Sequence, residues 1–295
     1  MRADPRSPGD TASMSPRWIV NLALIGCLMA AARASSAQPA RPVDATRPAA
    51  RPALVARPIL EWSAIAAGGA LWLTTGTLFK PDIAPSSCRW CDSNAFDDEL
   101  RSLRWSNPRG VDLTSDVISY GLAPLSAGGL VALAALQSGS ASELAVDLPI
   151  LAEALVAAGL LGEALRFATA RERPNVHALP ADEKPMTEHP EENNLSFVSG
   201  HVATSFSLAV ASGTIASLRG RRLAPIIWAA GLTLAATTSY LRIASDEHYF
   251  TDVLGGALLG AGIGVAVPLL HRPRGGPAVL VAPARGGASL LLVWP

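Results

Sequence analysis

Val117–Leu136 reads VISYGLAPLSAGGLVALAAL, 20 consecutive residues without a charged side chain. A bilayer core of about 30 Å takes roughly 20 helical residues to cross, so this stretch is long enough to span a membrane. Five other apolar stretches accompany it: Ile65–Phe79, Leu144–Leu165, Val202–Ser217, Leu223–Ile243 and Val253–Leu270. Leu223–Ile243 has the same reach, whereas Ile65–Phe79, Val202–Ser217 and Val253–Leu270 need their flanks to cross. Leu144–Leu165 carries Asp147, Glu153 and Glu163; acids at membrane depth have to face the bundle interior, a partner or the interface. In the last stretch Gly255, Gly256, Gly260, Gly262 and Gly264 let helix backbones approach closely. The expected fold is all-α, a six-helix membrane bundle.

Composition agrees. Of 295 residues 49% are hydrophobic and 16% charged, against nearer a quarter charged in soluble domains. Twenty-four basic and 24 acidic side chains cancel, so there is no global positive field with which to hold nucleic acid. Three cysteines are too few for a disulfide-built scaffold. After Arg17 the apolar run Trp18–Ala32 and the small residues up to Ala37 read as a secretory signal over residues 1–37. An uncleaved N-terminal anchor, or acylation at Cys27, are the alternatives. Residues 38–58 hold five prolines and four arginines, the composition of an extended linker. The helical domain is expected over 59–272. In the tail, 273–295, two short apolar runs flank Gly286-Gly287, consistent with a small β-hairpin.

Three polar clusters lie at helix ends. Arg166 and Arg173 are seven positions apart, two helical turns, with Pro174 closing the helix. Two guanidinium groups can then project from one face, although such a pair also complements a helix dipole. Ser199-Gly200-His201 opens the fourth long helix. Free amides at a helix start attract anions, Gly200 lets an oxyanion approach the backbone, and His201 can deliver a proton near neutral pH. Ser199 could equally serve as a helix cap. In the third cluster, Arg242 precedes His248, and Asp252 follows four positions later. A carboxylate at that spacing can accept a hydrogen bond from one imidazole nitrogen and leave the other as a nucleophile.

Together, Arg166-x6-Arg173-Pro174, Ser199-Gly200-His201 and Arg242-x5-His248-x3-Asp252 resemble the three-part signature of the type 2 phosphatidic acid phosphatase and vanadium haloperoxidase superfamily. Where that family has Lys, Pro and Ser, this chain has Arg166, Val198 and Leu241. The resemblance implies that His248 attacks phosphorus, oriented by Asp252, and that His201 protonates the departing alkoxide. Arg166, Arg173, Ser199, Gly200 and Arg242 would hold the phosphoryl oxygens, with no metal or cofactor. Motifs beside long apolar helices point to the membrane branch of the family, acting on lipid-linked phosphate monoesters or diphosphates. A soluble exported acid phosphatase of broad specificity and a non-catalytic protein that binds lipid phosphates remain the alternatives.

Counting helices puts all three clusters at one membrane face. Leu218–Arg222, rich in arginine, falls at the other, which the positive-inside tendency assigns to the cytoplasm. The site would then face the periplasm or the exterior, as in a bacterial inner membrane, where Cys88 and Cys91 could form a disulfide. A cleaved signal followed by six crossings would instead return the site to the inside, so these expectations conflict; the external site is preferred. Asn175–Asn194, with three prolines and several acids, is expected to form a rim or lid.

Overall fold

The computed structural model describes residues 54–273 and the strands Ala278–Ala284 and Gly287–Val293. The expected signal and most of the expected linker lie outside these residues. Helix α1 (Pro58–Leu73) opens on a proline, and Glu61 caps its start by accepting the Arg57 N–H at 2.7 Å. It continues through π-helical turns to Leu78. The short α2 (Ala95–Leu100) is capped by Asn94, which accepts the N–H groups of Phe96 and Asp97. Helix α3 (Pro108–Gln137) starts from an Asn107 cap and widens into π-helical turns over Val117–Leu122. The long α4 (Leu144–Thr169) ends at Ala170, which adopts a left-handed conformation at φ 47°. Helices α5 (Gly200–Leu218), α6 (Ala224–Ala244) and α7 (Phe250–Leu270) complete the bundle. Each of the six expected apolar stretches therefore lies in a long helix. The two strands pair antiparallel, with Ala278 opposite Val293 and Ala284 opposite Gly287.

Helix α5 is the axis. Thirteen of its 19 residues are buried, and α3, α4, α6 and α7 all pack against it. Small and apolar residues lie on every side of it, and its buried hydroxyls Thr204, Ser205, Ser207 and Ser212 are hydrogen-bonded, so it suits the middle of a bundle. Glycine sets the α5–α7 spacing: a Cβ on Gly260 would lie 2.1 Å from the Ala203 carbonyl oxygen, and one on Gly256 would lie 2.6 Å from that of Ser199. Around this contact, Ile150 and Ala154 of α4, Leu208 and Ile215 of α5 and Val267 of α7 form the core. Outward, Leu125, Leu161, Leu258 and Leu270 are exposed, an apolar surface suited to lipid. Helices α3 to α7 are long and apolar enough to cross a membrane; α1, at 16 residues, is shorter.

The three acids of α4 all meet cationic groups or histidine inside the bundle. Asp147 accepts from Arg219 at 2.7 and 3.0 Å, Glu153 lies 3.3 Å from the His271 ring, and Glu163 pairs with Arg166 one turn on. At the same end as Asp147, Arg221 bonds Glu143 and Ser138. Two of the three arginines in Leu218–Arg222 are thus neutralised, which weakens the charge argument for orientation. Gly260→Ala is expected to destabilise the bundle by about 1–3 kcal/mol, the usual cost of overpacking. Gly262→Ala, whose Cβ would meet open space, should change stability by less than about 1 kcal/mol. Thermal unfolding of both variants in detergent, compared with the parent chain, tests the difference.

Candidate active site

The end of α4, the start of α5 and the α6–α7 connection converge on one end of the bundle. Arg166, Arg173, His201, Arg242 and His248 line a single cavity there, of about 1220 Å³. A Cβ on Gly200 would meet the Arg166 guanidinium at 3.5 Å, so the bare backbone at the start of α5 faces that cation. Ser199 and Asp252 are fully buried behind the cavity wall. The Ser199 hydroxyl is buried without a partner and caps nothing.

Each arginine already holds a carboxylate. Arg166 bonds Glu163, Arg173 bonds both Glu192 and Glu247, and Arg242 bonds Asp112 and the Ser115 hydroxyl. Glu247 also lies 3.7 Å from Arg242, bridging the two clusters. Seven basic side chains and seven carboxylates line the cavity, so it carries no excess of positive charge. The positive charge of Arg173, outweighing burial and aided by Lys80, holds the Glu192 carboxyl far below the usual range. Sequence reading missed these acids in the site. Glu163 alone carried a signal, as a charge at membrane depth, while Glu192 sits in the Asn175–Asn194 segment expected to form a rim.

His248 differs from expectation. Its Nδ1 donates to the Ser196 carbonyl at 2.8 Å, while the nearest Asp252 oxygen is 3.8 Å away. The hydrogen bond expected between Asp252 and His248 is therefore replaced by one to the backbone. Asp252 instead accepts from the Ser196 hydroxyl at 2.6 Å, the Tyr249 N–H at 2.9 Å and Arg171 at 2.5 Å. It acts on His248 through Ser196. The reason is competition: the α7 start and a buried guanidinium both draw the same carboxylate. With Nδ1 as donor, the lone pair of the neutral ring sits on Nε2. Burial, then the charges of Arg242 and Arg173, hold the His248 imidazole well below its ordinary value of 6.5. His201 is gripped at Nε2 by Asp116, at 2.7 Å.

Arg171, between the two arginines of the first motif, has no solvent contact. It bonds Asp97 of α2 and Asp252 of α7, and its guanidinium lies 4.0 Å from the Trp90 ring centroid and 4.3 Å from that of Tyr249. Cys88 and Cys91 are disulfide-bonded next to it, in a loop pinned by the Arg89 N–H donating to the Ala170 carbonyl at 3.0 Å.

Residues 147–275, which contain all three clusters, match the PAP2 superfamily. This part of the chain belongs to that superfamily. Membership supports a phosphatase, a hydrolase of phosphoesters, and the five long apolar helices mark a membrane protein. No curated protein and no solved structure matches the chain. Among the described residues, no group of three or more His, Cys, Asp or Glu side chains is arranged to hold a metal ion.

Removing the buried cation of this PAP2 domain tests its frame. Arg171→Met would leave Asp97 and Asp252 buried without a counter-charge, at an expected cost of about 3–5 kcal/mol. Denaturation of the purified variant in detergent measures it; a loss below about 1 kcal/mol would show that other contacts hold these loops.

Proposed function

We propose that the protein hydrolyses lipid-linked phosphate monoesters or diphosphates through a phosphohistidine at His248. The observation that carries this reading is one cavity lined by two chemically distinct sets of side chains. Arg166, Arg173 and Arg242 line it with both imidazoles, and Trp72, Leu73, Leu113 and Leu155 from α1, α3 and α4 add apolar wall. A phosphorylated headgroup suits the first set and an acyl or prenyl chain the second.

The steps follow from the groups present. His248 Nε2 attacks phosphorus, the bond to the leaving oxygen breaks, and His201 gives that oxygen a proton. A water, deprotonated by His201, then attacks phosphorus and releases phosphate, restoring the imidazole of His248. Arg166, Arg173 and Arg242, with the backbone at Gly200, stabilise charge on the phosphoryl oxygens as it redistributes. The entering phosphate exchanges with Glu163, Glu192, Glu247 and Asp112 on the guanidinium groups, so the arginines are oriented before substrate arrives. The disulfide beside the site supports a site facing an oxidising compartment, the periplasm or exterior.

Purified protein is expected to release phosphate from such lipids in the presence of chelator, and His248→Ala to reduce turnover by at least about 10³-fold. Full activity in that variant would reject the nucleophile. Attack requires the neutral ring, and the pocket disfavours its protonation. The acidic limb of kcat/KM should therefore fall below the ordinary histidine value of 6.5, with activity persisting as pH drops through it. A limb at or above that value would contradict the assigned environment.

A further inference from the structure

His201 is held by one stretch of α3. Asp116 takes its Nε2 at 2.7 Å, and since an ionised carboxylate only accepts, the nitrogen is the donor. The Tyr120 ring packs on the imidazole with centroids 4.7 Å apart. Ser119 donates to the His201 carbonyl at 3.2 Å and bonds Ser205 of the same helix at 2.9 Å. Positions 116, 119 and 120 are three and four apart, so they share one helix face. The π-helical turns of α3 begin directly after Asp116 and include the other two residues; such turns recur at functional sites.

The charges around the ring give this grip a purpose. Arg166 and Arg242 line the same cavity, and an imidazolium beside two guanidinium groups needs an anion in contact with it. Asp116 is the carboxylate hydrogen-bonded to the ring. We infer that Asp116 is a positioning residue for proton delivery: it holds His201 in orientation and favours the imidazolium over the neutral ring, for a leaving group that departs as an alkoxide. This inference rests on the reading of His201 as proton donor given above. As the phosphorus–oxygen bond breaks, the imidazolium passes one proton to the alkoxide and becomes neutral, while Asp116 keeps its hydrogen bond and its charge.

A leaving group that needs no proton separates this role from a structural one. Turnover of Asp116→Asn is measured on an alkyl lipid phosphate and on p-nitrophenyl phosphate, whose phenolate leaves as a stable anion. The expected result is a kcat loss of about 10²-fold or more on the lipid and less than about threefold on the aryl ester, matching the range of general acid catalysis. His201→Ala also lacks the base for the second step and should lose turnover of both esters, but its first-turnover release of the leaving group should show the same selectivity, and adding Asp116→Asn to it should cost nothing further in that phase. Asp116 itself is 44% exposed and Asn can still accept from the ring nitrogen; an unchanged melting temperature verifies that the fold is kept. Equal losses of Asp116→Asn on both substrates, undiminished activity on the lipid, or additive losses in the double variant would overturn the inference. His248→Ala run alongside keeps the two readings apart, since failure of the nucleophile assignment appears as retained turnover of both esters by that variant.

Discussion

A guanidinium with no access to water depends on protein groups for its counter-charge and hydrogen bonds, and Arg171 draws on three different parts of the chain, with only its Nε left without a partner. Asp97 comes from α2, Asp252 and Thr251 from the start of α7, and the rings of Trp90 and Tyr249 cover its faces. Such a cluster adds little compared with an apolar one of the same size, but any arrangement that breaks it leaves charge stranded in a dry interior. Loops far apart in sequence are thereby forced into one arrangement. From Asp252 the constraint passes to the Ser196 hydroxyl, and from the Ser196 carbonyl to His248 Nδ1. The direction in which the proposed nucleophile presents its lone pair is set by a cation that does not line the cavity.

The second organising feature is the pairing of every cavity arginine with a carboxylate. Guanidinium groups free to move would have to be ordered when a phosphate arrived, whereas here Glu163, Glu192, Glu247 and Asp112 fix them in place. Preorganised charge of this kind is what phosphoryl transfer requires of a protein. Glu192 belongs to the Asn175–Asn194 segment and also holds Lys80 at 2.6 Å. In the proposed reaction an oxyanion would take its place on Arg173 and the rim of the cavity would lose one of its ties.

The helical bundle was legible because its signal is local. An uncharged run of 20 residues, a row of glycines in α7 and acids in an apolar helix each carry their meaning in a few turns. The motif residues were legible for the same reason, through fixed spacings. What could not be read was which side chains the three clusters meet. Asp112 and Asp116 precede the apolar run of α3 and belong to none of the three clusters, yet they lie in the same helix and face Arg242 and His201. Asp252, four positions from His248, invited a direct bond that the Ser196 carbonyl makes instead.

The sequence by itself determined that this chain buries apolar helices around a small-residue seam and carries two imidazoles and three arginines at helix ends, since these follow from composition and periodicity along the chain. The tertiary structure alone decided which carboxylate faces which cation. That choice depends on approach between distant segments, as where Arg101 meets Asp246, 145 residues away. In a buried site the partner is selected by desolvation and geometry together, and neither is written in the spacing of residues on one strand of sequence.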